Sequence, residues 1–480
     1  MTRLLRSSVL AAIVVAAVPA AAQPAPRPPA NAAPAIADDL ANFDRDLDAL
    51  FGAGGMTADQ AAARAAAASP DVRRKVAELG VAIVAREQAS LARLPYVQAK
   101  ASYTRLSFVA PFVIPVGGMS FNITSLQNSY DLAATASVPL SDYLLRFPRL
   151  LETANRNIEL SRTSQRSSAV NAGEAARLAF YEWVRARLQV VVAKRQLANV
   201  QATYKQAQAL ADAQRLSKAD LLRIESQEAE AEQTIDQLAN LESLREEQLR
   251  LLIGAADGEP LAIAEDIRGD LGAPGSAALD ELVKHASARR LDLKAIDIGL
   301  TAKQAQYDAS EADLYPKLSA FATVEDARPN QRVFPQVDEF RFTWLAGVQL
   351  TWTLGDAIAA KVTRARVQAE TAELRADREN IVRGQRIEIL AAQQAVSLAV
   401  HSLATSQKGL AAAEEGYRVR RELLAADRAT AVELVDSQTD LTRARIASLN
   451  ARVDLRVALA QLAHAVGDDA VPAPSARATR

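Results

Sequence analysis

The chain has 480 residues, of which 49% are hydrophobic and 5% aromatic, and it contains no cysteine. Its 56 basic and 57 acidic side chains nearly cancel, so no excess of positive charge marks a surface for nucleic acid or for an anionic membrane. The lack of cysteine excludes disulfides and an acylated N-terminal cysteine. Glycine and proline are nearly absent from 150–253 and 356–466, which favours long helices over several ordinary globular domains.

Residues 1–22 have the three parts of a secretory signal peptide. Arg3 and Arg6 supply positive charge, residues 7–18 form a short apolar stretch, and three alanines at 20–22 form a small-residue cleavage site. The apolar stretch is shorter than the roughly 20 residues that span a bilayer. We therefore expect an exported protein rather than one anchored by its N-terminus.

The segments outside the predicted body are short. Residues 23–56 are predicted to be an N-terminal linker, because 23–36 are rich in proline and alanine. Residues 468–480 are predicted to be a disordered C-terminal tail. After the signal peptide no apolar run approaches the length that spans a membrane, so bilayer contact through α-helices is not expected.

The rest of the chain reads as two copies of one unit. Residues 204–254 align with 417–467 without a gap at a constant offset of 213, and a second gapless stretch upstream aligns at an offset of 221. The matched pairs include Tyr204 with Tyr417, Arg215 with Arg428, Gly254 with Gly467, Asp71 with Asp292 and Pro95 with Pro316. Long repeats bury their apolar faces against each other, so we expect one quasi-symmetric body. Its predicted parts are a first repeat at 57–254, a connection at 255–276 and a second repeat at 277–467.

Each repeat is predicted to contain a helix, extended segments, a very long helix and a shorter helix. These elements cover 57–94, 96–140, 144–213 and 218–252 in the first repeat, and 277–314, 317–354, 357–426 and 430–466 in the second. At 1.5 Å per residue the long helices measure roughly 100 Å and the shorter ones roughly 55 Å. Two short helices placed end to end would therefore flank one long helix, and antiparallel coiled-coil packing is expected.

Both turns between a long helix and the next helix carry a capping pattern. Ser217 and Thr430 are predicted N-caps, and Asp220 and Glu433 follow three residues later, where a capping box places a carboxylate. Taken alone, this pattern indicates helix termini and nothing more.

The extended segments alternate between apolar and polar side chains. Every second residue is apolar in 130–138 and in 342–352, and weaker strands are predicted at 97–108 and 317–324. One such strand alone would favour a soluble sheet packed on a helix, but four strands of roughly 10 residues framed by aromatic residues favour a membrane barrel. The candidates for the aromatic residues at the membrane interfaces are Tyr103, Tyr130, Phe342, Trp344 and Trp352.

Four strands are too few to close a barrel that could pass a solute, and an open sheet edge is not tolerated in lipid. Several protomers are therefore expected to share one barrel.

The order of these elements, present twice, resembles the TolC-like outer-membrane factors. The motifs that carry the resemblance are Pro95 and Pro316 before each first strand, the returns at 138–142 and 350–356, and the turns at Leu221-Leu222 and Leu434-Val435. The resemblance covers about 57–467. It implies a mainly α-helical protein with a β membrane part, in which three protomers each contribute four strands to one 12-stranded outer-membrane β-barrel. The long coiled-coil helices would continue it as an α-barrel through the periplasm.

The resemblance also implies a function and partners. Such proteins are passive exit ducts of tripartite efflux or type I secretion systems, located in the cell outer membrane and extending into the periplasm. The implied partners are two further copies of the chain, a periplasmic adaptor protein, an inner-membrane transporter and outer-membrane lipid, and no cofactor is implied. Because the chain lacks a cysteine after the signal peptide, anchoring would come from the barrel alone.

Two groups of site residues follow from the resemblance. The turns at 213–219 and 427–431 match the periplasmic tip where adaptor hairpins dock. The candidate docking residues are Arg215, Leu216, Ser217, Arg428, Ala429 and Thr430.

Glu433 and Asp436 match positions where family members place carboxylates around the closed entrance. They lie three residues apart and share a helix face, so threefold symmetry would place six carboxylates in one ring that favours cations. The alternative is a capping residue and a solvated charge. Arg418, Arg420 and Arg421 would close the tip through ion pairs, or they are simply solvated.

No pattern supports an enzyme. His285, His401 and His464 lack the spacing of metal ligands, and no phosphate loop or nucleophile motif occurs. The alternative function is that of a periplasmic coiled-coil adaptor or spacer without a channel. An adaptor should contain one helical hairpin between glycine-rich β segments, whereas a spacer has no use for alternating strands. The sequence does not identify the cargo.

Overall fold

The computed structural model describes residues 43–110, 112–117, 119–123, 126–269, 271, 277–334, 336–426 and 428–469. The predicted signal peptide, most of the predicted linker and nearly all of the predicted C-terminal tail lie outside these residues. The helices of the first repeat are α1 (Ala58–Ala68), α2 (Pro70–Leu91), α3 (Leu140–Leu145), α4 (Phe147–Asp212) and α5 (Lys218–Ile253). Those of the second repeat are α6 (Leu279–Arg289), α7 (Leu291–Glu311), α8 (Leu354–Ala425) and α9 (Ala431–Val466). The strands are β1 (Phe51–Met56), β2 (Tyr96–Arg105), β3 (Phe112–Val116), β4 (Met119–Ile123), β5 (Asn128–Val138), β6 (Lys317–Arg328) and β7 (Arg341–Thr351).

The predicted fold class, mainly α-helical with a small β part, is confirmed. The long helices α4 and α8 contain 66 and 72 residues, which corresponds to roughly 100 and 110 Å. They form because both stretches are rich in alanine, leucine, glutamate and arginine, which favour helices. α4 lies at the centre of the helix layer, where it contacts α1, α2 and α5 of its own repeat and α7 and α9 of the other.

The first helix of each repeat is broken into two, which the sequence pattern did not predict. α1 ends at Ser69 and α2 begins with Pro70 at its first position, where the missing N–H of proline costs nothing. In the second repeat the break falls at the equivalent residue, Arg290, whose backbone is extended. The two repeats therefore keep the break although only one of them has a proline there.

The main core lies at the middle of α4. Phe180, Trp183 and Leu188 of α4 are almost fully buried there, with Leu249 of α5 and Val453 of α9. These side chains come from both repeats, so the core joins the two copies into one body.

The predicted linker and the predicted connection also contribute to this core. Phe43, Leu47 and Met56 pack into it beside Ile263 and Ile267, and the Met56 amide donates to the carbonyl of Ala262 at 2.7 Å. Residues 43–56 therefore differ from the extended linker that the composition predicted, because Phe43 and Leu47 lie one helical turn apart and bury the same face.

The C-terminal ends of α5 and α9 abut the breaks between the paired short helices. Gly254, after α5, has φ +61°, and a Cβ there would lie 2.6 Å from the Cβ of Ala68. Gly467, after α9, has φ +78° and lies against Arg289. Both positions thus require glycine because φ is positive there. At Gly254 a side chain would also have no room.

Replacing Gly254 by alanine is expected to lower the free energy of unfolding by more than about 1 kcal/mol, because alanine disfavours a positive φ and the site has no room. Gly416, inside α8, is the matched control, because a Cβ at that position would have nothing within 4 Å. Its change to alanine should stabilise the protein by about 0.5–1 kcal/mol. Denaturant unfolding of the detergent-purified protein measures both. Shifts of the same sign would contradict the prediction.

Four strands form one antiparallel sheet in the order β2-β5-β6-β7. The register places Ala134 of β5 opposite Ala99 of β2 and Val324 of β6, and Ala322 of β6 opposite Ala346 of β7. β6 is longer than the predicted strand 317–324 because the ladder with β7 continues to Ala327. The two repeats thus contribute two strands each to a single sheet.

Two further features differ from the predictions made from the sequence. The segment between β2 and β5, for which no strand was predicted, contains the two-stranded ladder of β3 and β4. α8 contains an 18-residue window of mean hydropathy 1.2, which by length and composition alone would let it cross a membrane, although no such run was expected. α8 contacts α7 and α9 instead, so in this fold it belongs to the helix layer.

Candidate functional site

One face of the four-stranded sheet is apolar except near the loop end, where the register places Asp326 and Arg328 of β6. Val348, on β7, exposes 71% of its surface, and Trp344 exposes 67%. The register aligns these two with Ala320 and Val324 of β6. Alternate residues of β2 and β5 complete the face, namely Val97, Ala99, Ala101 and Tyr103 together with Tyr130, Leu132, Ala134, Ala136 and Val138. A face of this kind, left uncovered by the protein's own helices, fits a lipid environment.

The opposite face is mainly polar. Lys100 lies 3.5 Å from the carboxylate of Asp131, and the hydroxyls of Thr135 and Thr323 lie 3.0 Å apart. Phe321 is an apolar exception, and its ring covers Gly347 of the next strand. The alternation expected for a barrel wall with a wet interior is therefore present in all four strands. Further polar residues on this face by register include Gln98, Ser102, Ser319, Thr343 and Gln349.

The predicted aromatic residues lie towards the two ends of the apolar face. Tyr103 and Tyr130 face each other with ring centroids 5.1 Å apart, at the end where the strands enter the loops. Phe342 and Trp344 are near the same end, whereas Trp352 is at the helix end and its indole N–H donates to the carbonyl of Leu314 at 3.3 Å. All five side chains are exposed. Their positions fit two interfacial belts.

The sheet has two unpaired edges. Within the described residues, β2 pairs only with β5 and β7 pairs only with β6. Each edge strand therefore presents a row of backbone N–H and C=O groups beside an apolar face. Such groups need a partner strand in a membrane.

The two helix turns lie side by side at the far end of the helices from the sheet. Their helices share one small core, formed by Val200 and Ala207 of α4, Ile224 of α5, and Val432 and Val435 of α9. This core fixes the position of one turn relative to the other.

Both turns are capped as predicted. Ser217 accepts a hydrogen bond from the amide of Asp220 at 3.1 Å. Thr430 and Glu433 form a complete capping box, with bonds of 3.1 and 3.2 Å. The predicted N-caps are thus where the pattern placed them.

The candidate docking residues occupy the outermost part of these turns. Arg215, Ser217, Arg428 and Thr430 are positioned at the turns between the long helices and the next helices, and Gln214, in the first turn, adopts φ +58°. The structure thus brings the six candidates, including Leu216 and Ala429, to one end of the molecule.

Glu433 and Asp436 each have an arginine partner. Glu433 lies 3.4 Å from Arg420 of α8, in addition to its capping role. Asp436 lies 3.4 Å from Arg223 of α5, and Gln227 donates to it at 3.4 Å. The two carboxylates therefore connect α9 with a helix on either side.

The arginines that were predicted to close the tip make different ion pairs. Arg420 reaches across to Glu433 on α9, whereas Arg418 pairs along its own helix with Glu415 and Glu422 at 2.8 and 2.7 Å. The hydrogen bonds from Arg418 hold the pKa of Glu415 below its usual value. Arg420 thus joins two helices at the tip, while Arg418 stabilises one.

Sequence reasoning missed Arg223 as a partner. Position 436 lies one repeat offset, 213 residues, after position 223, so these oppositely charged residues occupy equivalent places in the two repeats. Equivalent residues of adjacent, quasi-symmetric helices lie at the same level along the helix axes. The offset therefore made this contact predictable from the sequence. Within the part of the chain that the structure describes, no group of three or more histidine, aspartate or glutamate side chains could hold a metal ion.

Comparisons with known proteins agree with this architecture. Residues 282–468 match the outer membrane efflux protein family, a range that covers nearly all of the second repeat. A search of curated protein sequences finds no match.

Solved structures of outer-membrane channels superpose on nearly the whole chain. The outer-membrane channel OprN is 19% identical with a TM-score of 0.68, covering 89% of this chain and 92% of its own. The Neisseria gonorrhoeae MtrE channel in its open state is 17% identical with a TM-score of 0.70, covering 87% and 91%. The Campylobacter jejuni CmeC channel is 12% identical with a TM-score of 0.69, covering 90% and 87%.

The chain therefore has the fold of an outer-membrane efflux channel subunit, and its resemblance to the TolC-like outer-membrane factors is confirmed. The predicted location, the outer membrane with an extension into the periplasm, agrees with this family match over the second repeat and stays a prediction.

Proposed function

We propose that this protein is the outer-membrane exit duct of a tripartite efflux or type I secretion system. The observation that carries the proposal is that one molecule has a different surface at each of its two ends. One end is a four-stranded sheet with an exposed apolar face, and the other end, roughly 100 Å away along α4, presents two adjacent helix turns. A duct that crosses the outer membrane and reaches into the periplasm requires both.

The proposed assembly is a homotrimer. The free edges of β2 and β7 would pair between neighbouring protomers, so that three sheets close one 12-stranded barrel surrounded by outer-membrane lipid. The helices would close an α-barrel in the same way, since α8 leaves large apolar residues such as Ile387 and Leu398 exposed. Each protomer alone would leave these surfaces in contact with water.

The proposed partners act at the helix turns. A periplasmic adaptor would bind the turn residues, among them Arg215, Ser217 and Thr430, and would connect the duct to an inner-membrane transporter. The proposed entrance lies just inside these turns, where three copies of Glu433 and Asp436 would surround the axis.

The alternative, a periplasmic adaptor or spacer without a channel, is less well supported. Each repeat has its own helix pair joined by a turn, and the described strands that form the main sheet alternate between apolar and polar residues. A spacer gains nothing from an exposed apolar sheet face, which would promote aggregation in water.

Membrane fractionation and electrophoresis test the proposal. The full-length protein expressed in a Gram-negative host should occur in the outer-membrane fraction as a trimer that dissociates only on heating, and the purified trimer should conduct ions in a planar bilayer. A monomer in the soluble periplasmic fraction, without conductance, would support the adaptor or spacer instead.

A further inference from the structure

The C-terminal end of α9 meets the middle of α4 and the break between α6 and α7 in a cluster of charged residues. His464, in the last turn of α9, lies between two carboxylates. Its Nδ1 is 2.6 Å from an oxygen of Asp469, and its Nε2 is 3.1 Å from an oxygen of Glu174 on α4. The side chain of His464 is 17% exposed and that of Asp469 only 6%. The histidine therefore connects the end of the second repeat to the first.

Further charges surround this arrangement. Arg290, at the break between α6 and α7, pairs with Asp292 and with Glu388 of α8 at 2.7 and 2.6 Å, and it donates to the carbonyl of Ala465 at 3.3 Å. Within the second repeat, Arg290 thus connects the end of α9 to α8 and to the break between α6 and α7.

A second histidine lies in the same cluster. Asp468 accepts a hydrogen bond from Arg289 and lies 2.9 Å from His285. His464 itself lines a cavity of about 830 Å³, which gives protons a path to the imidazole. The charged groups around His464 are Glu174, Asp292, Glu388, Asp468, Asp469, Arg289 and Arg290, with Arg162 and Arg166 lining the same cavity.

The equivalent place in the first repeat lacks the residues that surround the imidazole most closely. The offset of 213 places Leu251 at the position of His464 and Ala256 at the position of Asp469. The offset of 221 places Ser69 at the position of Arg290. The first repeat therefore closes the junction between these helices without the histidine, without its Asp469 partner and without the arginine. His464 and Asp469 are therefore specific to the second copy.

The geometry depends on the protonation of His464. A neutral imidazole has one N–H and can donate to one carboxylate, while its other nitrogen presents a lone pair to the second carboxylate. A protonated imidazole donates to both. Burial alone would lower the pKa of His464, but the hydrogen bond to Asp469 and the charges of Asp469 and Glu174 outweigh burial and raise it. Burial also raises the pKa of Glu174.

We propose that His464 is a protonation-dependent bridge that holds the C-terminal end of α9 on α4. When charged, the imidazole donates to Asp469 and Glu174 together; when neutral, it releases one of them and the junction loosens. The folded protein binds the proton more tightly than the unfolded chain does. The stabilisation is therefore complete below the unfolded histidine pKa of about 6.5, and it is lost as the pH rises through the higher folded value.

Histidine NMR of the full-length protein tests the first part of the proposal. The chain contains three histidines, so labelling with [¹³Cε1]histidine in detergent, without a histidine tag, gives three signals. His285→Gln and His401→Gln identify two of them and leave His464. Its signal should titrate above pH 6.5, and titration at or below that value would overturn the proposal.

Hydrogen exchange tests the second part. After correction for intrinsic rates, the protection of residues 455–469 should be lower at pH 8 than at pH 6, because the stabilisation by the charged imidazole is lost as the pH rises. His464→Gln should abolish this pH dependence, whereas His285→Gln, in the same cluster, should retain it. Glu174→Gln, which keeps a hydrogen-bond acceptor without the charge, should weaken it.

Equal pH dependence in the parent protein and in His464→Gln would overturn the proposal. If His464→Gln fails to fold, the titration of the parent protein and the Glu174→Gln result decide.

Discussion

Replacing Val348 by arginine is expected to destabilise the membrane-inserted protein by about 2–4 kcal/mol if the site lies near the middle of the bilayer. Val348 lies on the apolar face of β7, opposite Ala320, and is 71% exposed in the protomer. In the proposed barrel this exposed surface contacts lipid, where an arginine side chain loses its hydration. Denaturant unfolding from lipid vesicles, or the amount of heat-modifiable trimer in the outer membrane, measures the effect.

The neighbouring residue provides a matched control. Gln349 lies on the opposite face of the same strand, opposite Ser319, so arginine there should remain in water and be tolerated. Ala134 and Thr135 form a second such pair on β5, a strand paired on both sides. If arginine has the same effect at both positions of each pair, the assignment of the two faces is wrong.

Removing the charges of Glu433 and Asp436 is expected to abolish the cation preference of the reconstituted channel. Under threefold symmetry the Glu433→Gln, Asp436→Asn variant removes six negative charges from a narrow constriction, where screening by salt is weak. Glutamine still suits the third position of a capping box, so this variant separates the charge of Glu433 from its capping role. The ratio of cation to anion permeability in a planar bilayer should fall to near unity, and block by divalent cations should disappear.

The arginine partners allow a test of opposite sign. Arg420 and Arg223 compensate the two carboxylates in the protomer, so replacing both arginines by glutamine should increase the cation preference. Replacing Glu415 and Glu422, which pair with Arg418 along α8, also removes six charges per trimer and should change selectivity little. A channel that keeps its selectivity in the Glu433→Gln, Asp436→Asn variant would show that these carboxylates act only at the helix terminus.

The parts of the fold that could be predicted from the sequence are those that a periodic pattern determines. The long helices follow from their composition, the strands β5 and β7 from strict alternation, and the helix turns from Ser217 and Thr430. The gapless repeat predicted that both halves have the same order of elements, because equivalent residues such as Gly254 and Gly467 terminate equivalent helices.

The parts that could not be predicted depend on contacts between distant segments. The helix break at Arg290 has no proline, and its side chain is fixed by Asp292 and Glu388. Phe43 joins the core through residues of α4 and α9 that lie far away in the chain.

Pairing across repeats leaves no local pattern. The contact between His464 and Glu174 could not be predicted because Glu174 is in the other repeat. The exception is a pair of oppositely charged residues at equivalent positions of the two repeats, such as Arg223 and Asp436. The repeat therefore predicts a contact between the two copies only where equivalent positions of the two repeats lie next to each other.

The unpaired edges of β2 and β7 have a consequence for biogenesis. In the proposed assembly, a newly exported protomer has two unpaired edge strands and an exposed apolar sheet face, so its lifetime as a single chain in the periplasm would have to be short, or a chaperone would have to protect it. The proposed trimer forms only when a protomer meets further copies of the chain. The yield of trimers should therefore rise more steeply than linearly with the rate of synthesis. At low expression most monomers would be degraded by proteases before they assemble. The cell would then contain few complete channels rather than many incomplete ones.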